Sequence, residues 1–535
     1  MSTDTSDPSH PEQDHQIWTP SVNPWIVAFS VMLATFMVVL DSSVANVALP
    51  HIAGDLSAST DESTWVLTSY LVANAVMLPA SGWLARRIGR KRLLLLSIIT
   101  FTVASLFCGI AANMPLLILA RVLQGFGGGG MMPLAQSILL ESFPPRQHGT
   151  AMAVYGAGVV VAPVIGPTLG GWITDSYSWR WIFYINLPIG LLALFMVNLY
   201  VEDPPYIHNA VRGAIDYLGF SFMALWLGSL QLVLDKGQES DWFSASWICW
   251  TACISLAAMV GFIVREFRTS DPIVQLRALR ERNFFVGNLI TGLFGAILYG
   301  LTAMLPLFLQ TLMGYSALSS GLSVSPRGIG SLVAMAVVAV LLRYVDGRYV
   351  LFCGFALLGY STFLLSHINF DISMWSVVWP NFLNGFAGGC IFVPLTTLSM
   401  AYLRKQDMGN ATGIYNLMRN IGGSIGIACI TTILVRGAQI HQNYLSAGLT
   451  PSSPATQNAL RALTARMMQS GLAPADAAHK AMGMLYGGLQ QQAALLSYAD
   501  DFRLLGYLCL LCAPLVLLFR RASHHTGEDN IILGE

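Results

Sequence analysis

Leu123-Gln-Gly-Phe-Gly-Gly-Gly-Gly130 returns 260 residues later as Leu383-Asn-Gly-Phe-Ala-Gly-Gly-Cys390. At the same offset Gly149, Ala151 and Tyr155 recur as Gly409, Ala411 and Tyr415. So dense a set of identities at one offset is not chance. The chain is a duplication of one unit, and its two copies should share one helix-packing scheme. Glycine at these positions serves close approach of helix backbones in an apolar setting. The run Gly125 to Gly130 also fits the dinucleotide pattern G-x-G-x-x-G, but no strand precedes it and no acid follows at the required distance, so that reading is rejected.

The surroundings of the repeat fix its solvent. Of 535 residues 54% are hydrophobic and 10% are charged, against about 25% charged in soluble domains. Uncharged stretches recur down the chain, and about 20 apolar residues suffice to cross a bilayer as a helix. Fourteen such stretches are expected, at 25–47, 64–84, 93–112, 115–137, 150–173, 181–200, 214–234, 246–265, 285–309, 322–342, 349–367, 375–399, 412–435 and 503–520. The protein reads as an all-α polytopic membrane protein. The repeat relates spans 4 and 5 to spans 12 and 13, which makes two six-helix halves and leaves spans 7 and 8 as an insertion. The expected organisation is a disordered cytoplasmic tail over 1–24, a first half over 25–200, and an inserted pair with linkers over 201–283. A second half over 284–520 follows, with an outer loop at 436–502, and then a cytoplasmic tail over 521–535.

Charge gives the orientation. Lys+Arg number 28 and Asp+Glu 28, so no basic field is available for nucleic acid. With the N-terminus inside, the inner segments hold 18 basic residues and the outer segments seven, four of them in the single loop 436–502. The positive-inside rule then places both termini in the cytoplasm. The residues before 25 lack the basic start of a signal peptide. All eight cysteines fall in apolar stretches and none has metal-ligand spacing with His, so they read as small buried apolar residues. The loop 436–502 carries the breaker Thr450-Pro-Ser-Ser-Pro454, and helical patterns follow at about 455–469 and 474–498.

Duplicated bundles of this kind are how many secondary transporters are built, with a site between the halves. Particular residues then resemble a known family. Gly82-Trp-Leu-Ala-Arg-Arg-Ile-Gly-Arg-Lys-Arg92, with Gly89 and Arg90 inside it, resembles the loop 2–3 signature of the major facilitator superfamily. Arg121-Val-Leu-Gln-Gly125 resembles its span 4 motif, and Gly158 through Gly166-Pro-Thr-Leu-Gly-Gly171 its span 5 antiporter motif. Leu40-Asp-Ser-Ser-Val-Ala-Asn-Val-Ala-Leu-Pro50, Trp179-Arg-Trp-Ile-Phe-Tyr-Ile-Asn-Leu-Pro188 and Arg419-Asn-Ile-Gly-Gly-Ser424 resemble the fourteen-helix drug–proton antiporters of the EmrB/QacA type. The resemblance covers about residues 25–520 and implies a major facilitator fold in the bacterial inner membrane. It also implies a membrane-fusion adaptor and an outer-membrane channel as partners. One position departs: Arg86 stands where the family's loop motif carries Asp, while the offset places Asp346 at the equivalent point of the second half.

Asp41 is the one acid expected deep in a span of either half. A carboxylate there is costly unless protonated or paired, which makes it a functional candidate. Arg121 lies at a similar depth, near 9 Å from the outer end at about 1.5 Å per residue, and the two form the expected proton-coupling pair. The alternative for Asp41 is a structural hydrogen bond to Asn46 or to a neighbouring helix. On span 5, Gly158, Ala162, Gly166 and Gly170 form one small-residue stripe, with Pro163, Pro167 and Gly171 beside it. Gly82, Gly89, Arg90, Gly125, Asp346 and Arg419 complete the expected gating and packing set. Arg419 and Arg327 can equally snorkel toward the span ends. Asn46, Tyr70, Gln124, Tyr155, Tyr299 and Asn416 are candidates for a cavity lining.

The expected function is proton-coupled export of hydrophobic or cationic compounds, with protons and lipophilic small molecules as ligands and neither cofactor nor metal. A proton-coupled carrier of one metabolite or fatty acid is the alternative. Uptake of a polar nutrient calls for more buried charges than Asp41, Arg121, Arg327 and Arg419. A membrane enzyme calls for a nucleophile–base pair or metal ligands at membrane depth, and no span pairs His with an acid. A non-transporting sensor would not need the Asp41 and span 5 pattern.

Overall fold

The computed structural model describes residues 21–203, 216–269, 272–404, 407–450 and 452–520. Most of the expected N-terminal tail, the C-terminal tail from 521, Arg212, Lys405 and Arg521 therefore lie outside the described residues. The first half comprises α1 (Pro24–Asp55), α2 (Thr60–Ile88), α3 (Arg90–Ile110), α4 (Met114–Gly129), α5 (Met131–Ser142), α6 (His148–Ser176), α7 (Trp181–Tyr184) and α8 (Asn186–Tyr200). The insertion is α9 (Tyr217–Lys236) and α10 (Ser246–Arg268). The second half comprises α11 (Arg282–Leu307), α12 (Ala317–Val324), α13 (Pro326–Leu341), α14 (Gly347–Leu365), α15 (Met374–Met400), α16 (Met408–Ala447), α17 (Pro454–Gln469) and α18 (Pro474–Leu515).

Among the described residues twelve helices are long and apolar enough to cross a membrane. The two further stretches expected to do so are also helical. One is α2, whose first turns carry polar and acidic residues. The other is divided into α4 and α5 at Gly130, within the glycine run. The apolar surface behaves as a lipid-facing one. On α3 the exposed residues Leu96, Ile99, Val103, Leu106 and Ile110 form a single helical stripe, the arrangement a lipid solvent permits and water penalises. Four of the eight cysteines correct the expectation of burial: Cys253, Cys353 and Cys429 are exposed and Cys249 is half-buried. An apolar span has an outer as well as an inner face, and composition does not distinguish them.

The duplication is visible in the packing. In the first half α1 packs on α6, α2 on α4, and α3 on α4 and α8. In the second half α11 packs on α16, α13 on α15, and α14 on α15 and α18. The repeated glycines make the same contact twice. A Cβ on Gly125 would press on Tyr70 and Ala73 of α2, and one on Gly129 would lie 2.5 Å from the Asn74 carbonyl oxygen. Their counterparts Gly385 and Gly389 press on Arg327 and, at 2.6 Å, on the Ala334 Cβ of α13.

The halves meet at the end that carries the loop Arg86–Arg92, called here the basic end, and also along α6 and α13, where a Cβ on Gly328 would press on Val164. Thr412, Asn416 and Arg419, one face of α16, reach the Pro133 carbonyl at 3.1 Å, Gln136 Oε1 at 2.6 Å and Met132 Sδ at 2.6 Å on α5. A Cβ on Gly149 at the start of α6 would lie 3.2 Å from Leu342 just past α13. At the far end α9 lies between the halves, packing on both α2 and α16. Asp235 accepts from the Thr68 hydroxyl and Lys236 donates to Thr64 on α2. On α16, Ser424 donates to Gln231 at 3.0 Å and the Trp242 indole to Thr432 at 3.0 Å.

Span 13 does not stop near 435. Arg436 to Ala447 contains one glycine and no proline, and α16 continues through it for 40 residues, about 60 Å at 1.5 Å per residue. The helix after Pro474 likewise runs unbroken into the last span. Both helices exceed the roughly 30 Å of a bilayer core, so with α17 they form a helical hairpin that projects from the far end.

Candidate functional site

Asp41 sits in the middle of α1 and is 1% exposed, with Arg121 of α4 fully buried beside it. Arg121 Nη1 donates to Asp41 Oδ2 at 2.6 Å and to Gln124 Oε1 at 2.7 Å, while its Nε donates to the Val66 carbonyl at 3.0 Å. The other carboxylate oxygen, Oδ1, accepts from Gln124 Nε2 at 2.8 Å and from Asn186 Nδ2 at 2.7 Å. Ser105 of α3 closes the network, accepting from Asn186 at 2.9 Å and from Gln124 at 3.3 Å. The guanidinium lies 4.3 Å over the Tyr70 ring. Charge-assisted hydrogen bonds on both oxygens are what an ionised carboxylate needs inside a low-dielectric interior. One donor, Arg121 Nη2, has no acceptor among the described residues.

Local sequence explains the convergence. Arg121 and Gln124 are one turn apart on α4 and present one face. The neighbouring glycines 125 and 129 bring α4 against α2, which sets Arg121 on Tyr70 and Val66. Asn186 opens α8, turned inward by the short α7 whose Phe183 is buried. Of the two alternatives for Asp41, the bond to Asn46 is absent, since Asn46 is exposed and donates to the Ser42 carbonyl, while hydrogen bonds to the neighbouring helices α4 and α8 are present. The hydrogen-bond partners of Asp41 among the described residues all belong to the first half, so in this conformation the carboxylate is enclosed within that half and does not line a space between the halves.

The six cavity candidates are not brought together. Tyr70 and Gln124 belong to the Asp41 network. Tyr155 is buried and donates to Thr35 at 3.2 Å, and Asn416 seals the basic end against Gln136. Only Asn46 and Tyr299 are exposed, on different halves. The reason is geometric: polarity in a span marks a residue that needs partners, and helix–helix seams supply them as well as a cavity does.

The small-residue stripe of α6 packs on α1. Gly158 faces Met32, Gly166 faces Ser43, and a Cβ on Gly170 would lie 2.8 Å from Val44. Ala162 is fully buried between them, whereas Pro163 is exposed and Pro167 half-buried. At the basic end Gly89 takes φ of 93°, which a side chain would resist. Arg90 forms a buried ion pair with Glu141, Asp203 accepts from the Lys91 amide at 2.9 Å, and Arg86 donates to the Pro272 carbonyl at 3.3 Å. Glu141 thus supplies an acid that the loop itself lacks. Asp346 caps α14 through the Arg348 amide at 3.0 Å and pairs with the Arg348 guanidinium at 2.9 Å.

Arg419 does not snorkel. It is 9% exposed and turns inward to Asn416 Oδ1 at 2.5 Å. Arg327 donates to Thr302 at 2.8 Å. Asp41 is also not alone as a deep acid, since Glu141 is 3% and Asp501 0% exposed. Sequence reading passed over both because they lie outside the expected span limits. It also gave no role to Asn186, although an amide near the start of an otherwise largely apolar span was a signal available to it.

The family model for the Major Facilitator Superfamily matches residues 31–427. The chain is 37% identical to the multidrug export protein EmrB of Escherichia coli (strain K12), over 81% of this chain and 84% of that protein. It is 34% identical to the fatty acid resistance protein FarB of Neisseria gonorrhoeae, over 94% and 97%. The colistin resistance protein EmrB of Acinetobacter baumannii is 29% identical over 94% and 98%. Among solved structures the human organic anion transporter MFSD10 (TETRAN) superposes with a TM-score of 0.58 at 13% identity, covering 91% of this chain and 100% of that one.

Proposed function

The chain belongs to the Major Facilitator Superfamily, and we propose from that membership that it is a proton-coupled exporter of hydrophobic or cationic toxic compounds in the bacterial inner membrane. The observation that carries the reading is likeness over most of its length to proteins named for multidrug export. Substrate would be released at the far end, and the basic end would be cytoplasmic, as the positive-inside rule requires. A conformation closed at the basic end is then one that substrate cannot enter from the cytoplasm.

The Asp41 network supports the coupling part. A ligand moves a conformational equilibrium only through differential affinity, and a proton on Asp41 would break up to three charge-assisted hydrogen bonds at once. That makes protonation a strong bias on how α1, α4 and α8 pack. Enclosed as it is, the carboxylate would act on the substrate path through helix packing and not by touching substrate.

The hairpin of α16, α17 and α18 supports a membrane-fusion adaptor, with an outer-membrane channel beyond it, as partners. Replacing the hairpin tip, 448–480, by a short Gly/Ser linker should abolish co-purification of the adaptor while leaving vesicle transport intact.

Purified protein in vesicles under an imposed pH gradient, offered lipophilic cations, uncouplers and fatty acids, tests the function. Movement of cations and uncouplers against proton flow is expected. The second reading, a fatty acid exporter, is favoured by the near full-length likeness to the fatty acid resistance protein. Movement of fatty acids alone would select it, and transport indifferent to the pH gradient would reject proton coupling.

A further inference from the structure

Asp501 on α18 is fully buried, and neither carboxylate oxygen has a hydrogen-bond partner among the described residues. Its place is defined by the turns on either side. Ser497, one turn before it, donates to the Leu434 carbonyl of α16 at 2.7 Å. Leu505, one turn after it, packs against Gly300 of α11 together with Ile430. The carboxyl group therefore points into the seam where α11, α16 and α18 meet.

The charged and titratable groups around that seam are occupied elsewhere. On α18, Asp500 accepts from His441 at 2.8 Å and from Arg503 at 3.0 Å, and Tyr498 sets its ring edge on Phe308 with centroids 5.3 Å apart. The face that α16 turns to α18 carries Ile430, Leu434, Gly437 and His441; His441 is held by Asp500, and Arg436 is exposed on another face. The turn after α11 brings Phe308 and Thr311, neither of them charged. His367, past the end of α14, is exposed and sits on the Phe363 carbonyl.

An ionised carboxylate in such a place has neither counter-charge nor donor, and groups so placed neutralise instead. We propose that Asp501 is a second proton-binding site, one that carries its proton in this conformation. The contrast with Asp41 is chemical: three donor groups serve the Asp41 carboxylate, while Asp501 is surrounded by what an acid in its neutral form tolerates. Two carboxyl groups so placed give the cycle two sites for protons.

α16 supplies the means of release. Its basic end is packed on α2 and α5 of the first half, and its middle covers Asp501. When the halves part at the basic end, α16 shifts as a rigid element and opens the seam to water entering between the halves from that end. The proton then passes from the Asp501 carboxyl oxygen to that water and leaves a hydrated carboxylate behind, and the mouth held by Asp500 and His441 is where the next proton enters from the far side.

This inference rests on the proton-coupled reading, but its first test does not need transport. Infrared titration of the purified full-length protein without substrate should show a protonated-carboxyl stretch that is missing from Asp501→Asn and kept in Asp41→Asn. Identical bands in the wild type and Asp501→Asn overturn the site. Asp501→Leu should melt no lower than the wild type, because a neutral unpartnered carboxyl holds nothing together; a clear drop in Tm also overturns it. In vesicles, Asp501→Asn should move fewer protons per substrate than the wild type, and an unchanged ratio overturns its part in coupling. Wild-type vesicles that move no substrate would reject the exporter reading alone, since the infrared band decides Asp501 independently.

Discussion

Gly82 of α2 lies so close to Gly409 of α16 that a Cβ on Gly82 would stand 2.6 Å from the Gly409 carbonyl oxygen and 2.8 Å from Asn410 Cα. Both atoms belong to backbone, so the clash cannot be relieved by a rotamer. The contact joins the two halves at the basic end, where Asn416 and Thr412 also cross. Gly82→Leu should therefore prevent this closure while leaving each half intact. Cysteine labelling from the basic-end side should rise several-fold at Asn416→Cys in the Gly82→Leu background. Unchanged labelling would mean that the halves meet there without being gated.

The α6 stripe is a contact within one half, and its substitution should read differently. Gly170→Leu drives a side chain into Val44, and Gly166→Leu drives one into Ser43. Overpacking of this kind costs about 1–3 kcal/mol. Because α1 also carries Asp41, spreading α1 from α6 should disturb the carboxylate network. We expect both variants to insert normally, melt several degrees lower and leak protons without substrate. Wild-type leak rates in both would show that the stripe only fills space.

Much of this arrangement was legible before any coordinates. The offset of 260 residues located the duplicated glycines, and their packing on α2 and α13 follows from the same close-approach rule. The depth estimate placed Asp41 and Arg121 together, which they are. The rest was hidden for physical reasons. Hydropathy reports the bilayer and not the helix, so α16 runs 12 residues beyond the expected limit of 435. Residues such as Glu141 and Asp501 acquire meaning only through neighbours far away in sequence. The role of α9 as a wedge between α2 and α16 has no local signature, because Gln231, Asp235 and Lys236 resemble an ordinary polar helix end.

The insertion is fastened at its other end by Asp216, and this fastening should depend on pH. Burial pushes the Asp216 carboxyl up, but the Gly219 amide, the Arg265 guanidinium and the Thr269 hydroxyl outweigh it and hold it below the usual carboxylate value. A depressed value in the folded state gives stability that is fully present above the unfolded value, about 3.9. That stability is lost as pH falls through the folded one. Asp216→Asn keeps the helix cap and removes the anion that pairs with Arg265, at a cost of about 1–2 kcal/mol. Thermal melts should show a constant gap between wild type and variant from neutral pH down to about 5, closing below 4. A gap that widens on acidification would contradict the assignment.

The pair Asp41–Arg121 can be separated into a structural and a coupling part by removing its charges singly and together. Asp41→Asn leaves Arg121 a buried cation with Gln124, the Val66 carbonyl and the Tyr70 ring but no anion. Arg121→Gln leaves Asp41 an anion held only by Gln124 and Asn186. Breaking a buried pair from one side costs about 3–5 kcal/mol, whereas replacing both partners by neutral groups of similar size is often close to neutral. Each single variant should therefore melt well below the wild type, and the double variant should recover most of the loss. Transport should not follow stability. The double variant is folded but has no exchangeable proton at this position, so it should bind lipophilic cations yet fail to accumulate them under an imposed pH gradient. Recovery of gradient-driven accumulation along with the melting temperature would make the pair a structural bolt and move the proton elsewhere.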